Sequence, residues 1–236
     1  MFAASIITLF PEAFPGTLGV SVIGKALRDE SWSLETIDLR PFGAGPHRQV
    51  DDTPAGGGAG MVLRADVAAN AIDSIPANGR PILYPSPRGA PLTQKMVREW
   101  SVGPGLILFC GRFEGLDERV IEARSMQEIC VGDAVLAGGE AAALVILEAC
   151  VRLIPGVLGN DASPQDESFE NGLLEHPHYT RPREWEGRAI PDVLLGGDHA
   201  KIEKWKQAER ERITRLRRPD LFSLLPRSGG RVGDGG

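Results

Sequence analysis

The chain has 236 residues, 42% of them apolar and 25% charged, a balance that lets an ordinary globular protein fold without disulfide or metal. Its net charge of −6, from 26 Lys/Arg against 32 Asp/Glu, at first sight speaks against a nucleic-acid partner. No apolar run approaches the roughly 18 residues of a membrane span. Three cysteines (Cys110, Cys130, Cys150) without a C-x-x-C pair argue for a reducing cytoplasm and against a disulfide framework or structural zinc.

The opening MFAASIITLFPEAFPG lacks a basic leader and reads as a first strand rather than a signal peptide. Strands are expected at Ala3–Leu9, Leu34–Leu39, Pro81–Pro85, Leu106–Cys110 and Glu128–Val131. Helices are expected at Gly19–Asp29, Arg64–Ser74, Thr93–Trp100, Leu116–Glu122 and Glu140–Leu153. The alternation predicts an α/β domain over 1–159: a mostly parallel sheet with helices on both faces. Residues 160–183 are polar and turn-rich and read as a linker. A small all-helical domain is expected over 184–225, with a helix at Asp198–Arg218 stopped by Pro219, and then a disordered tail at 226–236. Charge is uneven along this order. Residues 201–236 hold 10 Lys/Arg against 5 Asp/Glu, so a local basic face sits on an acidic chain.

Gly19–Ala26 fits G-x-x-x-x-G-K, but Ala26 stands where a phosphate-binding loop needs the hydroxyl that meets Mg²⁺. It reads as a plain helix with Lys25 in solvent. More informative are three glycine loops, each following an apolar run: Tyr84–Gly89, Gly111–Gly115 and Val131–Glu140. In parallel sheets ligands bind beyond the strands' carboxyl ends, and glycine there lets backbone approach closely. None is a G-x-G-x-x-G, so a dinucleotide site is not indicated. A fourth cluster, Val50–Met61, is glycine-dense and flanked by His47, Arg48, Asp51 and Asp52. Arg152 ends one helix, and Asp166 and Glu167 lie in the polar linker. His176, His178 and His199 lack metal-ligand spacing with the cysteines.

In this order the chain carries IITLFPE (6–12), HRQVDD (47–52), GGGAGM (56–61), SPRG (86–89), CGRFEGLDERV (110–120), GDAVLAGGE (132–140), RLIPGVLG (152–159) and GLLEHPHYTRP (172–182). Together these strings resemble the bacterial tRNA (guanine-37-N1)-methyltransferases, over residues 5–220. The resemblance implies a homodimer of the SPOUT class, whose glycine loops form a deep trefoil knot around S-adenosylmethionine. It implies an active site at the subunit interface, a helical C-terminal domain gripping the anticodon branch of tRNA, and activity dependent on Mg²⁺. Cofactor contacts then fall on Tyr84, Ser86, Pro87, Gly89, Gly111, Glu114, Val131, Gly132, Asp133, Ala134, Val135, Leu136, Gly138 and Gly139. Arg152 faces the target guanine, and tRNA contacts are expected at Arg48, Asp51, Lys201, Lys204, Arg212 and Arg215. The family's general base is an aspartate directly before Ser-Phe. Here that position is Glu167, with Asp166 one residue earlier, and both remain candidates. Ala55 and Phe113 stand where the family commonly has tyrosine.

Overall fold

A computed structural model of the chain describes residues 1–158, 167–169 and 171–224. Asp166 and the expected tail lie outside the described residues. The chain divides into two compact units, Met1–Asp161 and Ala162–Gly236. The first runs β1 (Phe2–Thr8), α1 (Ser21–Arg28), β2 (Trp32–Asp38), β3 (Asp51–Asp52), β4 (Val62–Leu63), α2 (Ala65–Asp73), β5 (Ile82–Pro91), α3 (Gln94–Ser101), β6 (Gly105–Phe109), α4 (Glu118–Ala123), β7 (Gln127–Cys130) and α5 (Glu140–Val151).

Five strands form one sheet in the order β2-β1-β6-β5-β7, and every pairing in it is parallel. Side chains alternate across a strand, so each strand feeds two cores. Phe2, Ala4 and Ile6 of β1, with Leu106 and Leu108 of β6, pack under α1, α3 and α5. Ile7 of β1, with Ile107 and Phe109 of β6, packs under α2 and α4. A sheet covered on both faces explains why these strands are apolar without interruption. Local signals place the helix starts: Thr93 accepts a hydrogen bond from Met96 N, and Asp117 accepts one from Arg119 N.

The Gly19–Ala26 motif has a structural explanation. Gly24 lies in α1 against the preceding turn, where an added Cβ would sit 2.1 Å from Gly19 O. Lys25 pairs with Asp29 one turn later, on the surface.

Strand β5 is longer than its sequence suggests. Pro85 and Ala90 both lie opposite Ile129 of β7, so Ser86–Gly89 leave the ladder and return to the same rung. This excursion projects from the carboxyl end of the sheet. Gly89 is required for the return: a Cβ there would meet Ile129 N at 2.3 Å.

In the second unit β8 (Glu184–Trp185) and β9 (Arg188–Ala189) pair antiparallel, followed by α6 (His199–Arg217) and α7 (Pro219–Ser223). The expectation of an all-helical domain is corrected by this hairpin. Its two-residue turn, Glu186-Gly187, has both residues at positive φ, the geometry that matches strand twist. Asp198 caps α6 through Lys201 N. Thr214, buried on α6, accepts from Leu174 N at 2.8 Å and donates to Arg210 O at 2.7 Å, pinning the 171–180 segment to the helix.

Gly105 opens β6 at φ +123°, and an added Cβ would lie 1.9 Å from Ala3 O on β1. Gly105→Ala should therefore destabilise the fold by about 2–4 kcal/mol, strain and steric clash together. Urea unfolding checks this; a midpoint unchanged from the parent would contradict the assigned register.

Candidate active site

The excursion within β5 and the loops after β6 and β7 surround a cavity of about 1210 Å³ at the carboxyl edge of the sheet. That exceeds the roughly 300–1,000 Å³ of ordinary small-molecule sites. Its walls include Tyr84, Ser86 and Pro87 from the β5 excursion. Gly111 and Glu114 come from the loop after β6, and Val131, Gly132, Ala134, Val135, Leu136, Gly138 and Gly139 from the segment entering α5. Two of the residues expected at a cofactor, Gly89 and Asp133, are not among the lining residues. Gly89 instead serves the backbone packing on β7.

The walls meet through glycines that have no space for a side chain. A Cβ at Gly111 would lie 2.8 Å from Tyr84 Cε2, one at Gly138 would lie 2.2 Å from Arg112 Nε, and one at Gly139 would lie 2.8 Å from Cys110 Cα. At Gly132 an added Cβ would meet nothing within 4 Å. Tyr84 is buried; its hydroxyl accepts from Leu116 N at 3.2 Å, and burial pushes the phenol up, so it stays neutral. Burial likewise pushes the Cys150 thiol up to about 12 and Cys110 well up, which makes both inert packing groups.

The strongest electrostatic feature was not legible as a motif. Glu140, the first residue of α5, is only 5% exposed. Thr8 Oγ1 donates to its Oε1 at 2.7 Å, and Arg112 Nη2 stands 2.9 Å from its Oε2. The Arg112 contact is an ion pair off the direction a hydrogen bond needs, which leaves Glu140 Oε2 without a hydrogen-bond partner; Arg112 Nε has none among the described residues either. Arg112 also donates from Nη1 to Ala137 O at 3.3 Å and lies over the Phe10 ring at 4.3 Å. Phe10 N in turn donates to Thr8 Oγ1 at 2.9 Å. Three distant stretches are thus joined beside the cavity.

The glycine-dense loop is part of the same place. Asp52, Thr53, Pro54 and Ala55 line the cavity, β3 pairs with β4, and Glu114 N donates to Met61 O at 2.9 Å. Gly60 has φ +93°, and a Cβ there would strike the Glu114 carboxylate at 2.4 Å. Arg64 pairs with Asp66 at 2.8 Å, which raises the guanidinium pKa and lowers that of Asp66. Arg88 reaches Glu118 at 2.8 Å and Glu128 at 3.1 Å across the β5 excursion, and these hydrogen bonds and charges raise its pKa.

Other expected residues lie elsewhere. Asp51 sits in β3 opposite Leu63, and Arg48 is exposed at φ +50°; neither lines the cavity. Arg152 follows α5 and is also absent from the lining. The cavity touches the amino end of α5 as far as Ala142, so about 10 residues of helical rise, roughly 15 Å, separate it from Arg152. Glu167 belongs to the second unit, in a turn where Phe169 N donates to Leu173 O and Glu175 N donates to Ser168 Oγ. On α6, Lys201 and Lys204 are exposed, Arg212 pairs with Glu209 at 2.6 Å, and Arg215 lies over Phe222 at 4.6 Å. No group of three or more His, Cys, Asp or Glu among the described residues is arranged to hold a metal ion. No helix among them is long and apolar enough to cross a membrane.

Tyr84→Phe removes the acceptor for a buried amide and should cost about 1–3 kcal/mol of stability. Chemical denaturation measures it; a loss under about 0.5 kcal/mol would remove Tyr84 from the wall's support.

The family model described as tRNA (Guanine-1)-methyltransferase TrmD matches residues 2–224. Curated proteins named tRNA (guanine-N(1)-)-methyltransferase are similar over nearly the whole chain. Those of Brucella ovis and Brucella melitensis biotype 1 are 59% identical over 232 residues, 98% of this chain and 96% of theirs. That of Brucella suis is 59% identical across 98% of this chain and 95% of its own length. A match of this extent establishes that the chain belongs to the tRNA (guanine-1)-methyltransferase family.

Proposed function

We propose that the protein transfers a methyl group from S-adenosylmethionine to N1 of guanine 37 in tRNA, beside the anticodon. The observation that carries this reading is the large cavity at the sheet's carboxyl edge, in a chain that belongs to this family from end to end of the described residues. The apolar side chains of Val131 and Leu136 and the open space over Gly132 suit an adenosine bound closely against backbone. The bound donor supplies an already reactive methyl sulfonium, so alignment rather than activation is the protein's task.

N1 of guanine carries a proton, and its lone pair is unavailable until a base removes it. Glu167, or Asp166 beside it, takes that proton; positioned proton transfer contributes about 10²–10⁴-fold. Negative charge then develops on O6, which a fixed guanidinium stabilises at the moment it forms. Arg152 is that group. Its distance from the cavity of its own chain supports a site shared by two copies, in which each protomer's Arg152 serves the other's cavity. The target base leaves its stack to enter, which is least costly in a loop such as the anticodon loop. Lys201, Lys204, Arg212 and Arg215 of α6 grip tRNA phosphates and set affinity without choosing the base, while Arg48 and Asp51 contact the neighbouring nucleotides. A tRNA substrate suits a protein that works in the cytoplasm.

Incubation with labelled S-adenosylmethionine and unmodified tRNA, followed by nucleoside mapping, tests the reaction. N1-methylguanosine at position 37 is expected, and methyl on another atom or position refutes it. Arg152→Ala should lower single-turnover transfer by about 10²–10³-fold while donor binding by calorimetry stays intact. Glu167→Gln and Asp166→Asn, compared in the same assay, identify the base; if neither slows transfer, neither carboxylate removes the proton. Lys204→Ala should weaken tRNA binding evenly across sequences and reduce the salt slope of binding by about one, whereas an unchanged slope takes α6 off the phosphates.

A further inference from the structure

We propose that the Arg112–Glu140 pair, whose carboxylate is buried and whose guanidinium side chain is 25% exposed, is a positioning device: it fixes the distance between the 111–115 and 132–139 walls of the cavity and so sets affinity for the methyl donor. The inference rests on the donor occupying this cavity. It is carried by what each end of the pair holds. Glu140 is fastened to the end of β1 through Thr8 at 2.7 Å, and as the first residue of α5 it terminates the 132–139 wall. Its carboxylate at the positive end of that helix is favourably placed. Arg112 belongs to the other wall and lines the cavity. It reaches across to Ala137 O at 3.3 Å, to Glu140 at 2.9 Å and to the face of Phe10 at 4.3 Å. Gly138 is glycine because the Arg112 side chain occupies the space its Cβ would take. A backbone bond, Gly139 N to Gly111 O at 2.9 Å, crosses at the same point.

Stability alone does not account for this arrangement. A buried ion pair about breaks even against apolar replacements of equal volume, and here one oxygen and one guanidinium nitrogen remain without hydrogen-bond partners. What the pair does supply is a fixed spacing between two loops that have glycine, not side chains, at their contact. The lateral position of Leu136 and of Glu114 across the cavity follows from that spacing. Neither Arg112 nor Glu140 touches the reacting atoms in this account; both act through the walls.

The experiment compares the wild-type protein with Arg112→Lys and with the double variant Arg112→Met/Glu140→Met, using S-adenosylhomocysteine as the probe in calorimetry and steady-state methylation of tRNA. Both variants should bind the probe about tenfold or more weakly and show a similarly raised KM for S-adenosylmethionine. The kcat at saturating donor should stay within about threefold of wild type. A pair that only held the fold together would act the other way, lowering the active fraction and hence kcat with KM unchanged, and that result overturns the proposal. Equal probe affinity in all three proteins overturns it as well. Arg112→Lys, which keeps a charge opposite Glu140, decides the matter if the double variant does not fold. A wild-type protein that does not bind S-adenosylhomocysteine refutes instead the placement of the donor in this cavity, a distinct failure.

Discussion

The carboxylate of Glu140 is enclosed by protein at the start of α5, and a buried charge must be answered where it lies. Thr8 and Arg112 answer it, from positions that are remote in the chain and adjacent only in the fold. Because Thr8 ends β1 and Arg112 follows β6, two adjacent strands of the sheet and the segment entering α5 are held at one point. The cavity opens beside that point. Its floor is the edge of a parallel sheet, where strand carboxyl ends leave carbonyls and amides without ladder partners. Its walls are loops kept close by Gly111, Gly138 and Gly139, positions where any side chain would collide with Tyr84, Arg112 or backbone. Removing the charge from this corner would leave the loops with little reason to keep their spacing.

The direction of α5 has a second consequence. The helix presents its amino end to the cavity, with Gly139 and Ala142 in the lining, and carries Arg152 at the opposite end. A guanidinium meant to meet a base in the cavity of the same chain would be badly placed there. In a pair of copies the same placement becomes useful, since the far end of one helix can approach the near end of the other's. The proposed chemistry of proton removal from N1 and charge stabilisation at O6 then draws its groups from separate parts of the chain.

Much of the fold could be read from the residues, because parallel strands buried on both faces declare themselves as short apolar runs. β1, β6 and β7 lie within a residue or two of expectation, and so do α2, α3 and α5. Pro219 marked the end of α6, which stops at Arg217. The excursion Ser86–Gly89 was not legible as such: proline and glycine ended the strand on paper, whereas the chain resumes the same ladder at Ala90. Nor were β3–β4 and β8–β9 visible, since pairs of two-residue strands carry no periodicity to detect. Of the site, the glycine loops were legible from their place after apolar runs. The Thr8–Glu140–Arg112 network was not, because Glu140 in sequence looks like any acidic residue at a helix start, and its partners are 132 and 28 residues away.

The shared crevice is tested most directly by mixing two variants that are each inactive alone. Gly132→Trp fills the open space at the cavity wall and blocks the donor, and Arg152→Ala removes the guanidinium while sparing the cavity. Refolded together in equal amounts, they should recover about a quarter of wild-type N1-methylguanosine formation, since half of randomly assorted dimers would contain one intact site. A mixture as inactive as its components would show that Arg152 serves the cavity of its own chain, and would contradict the account.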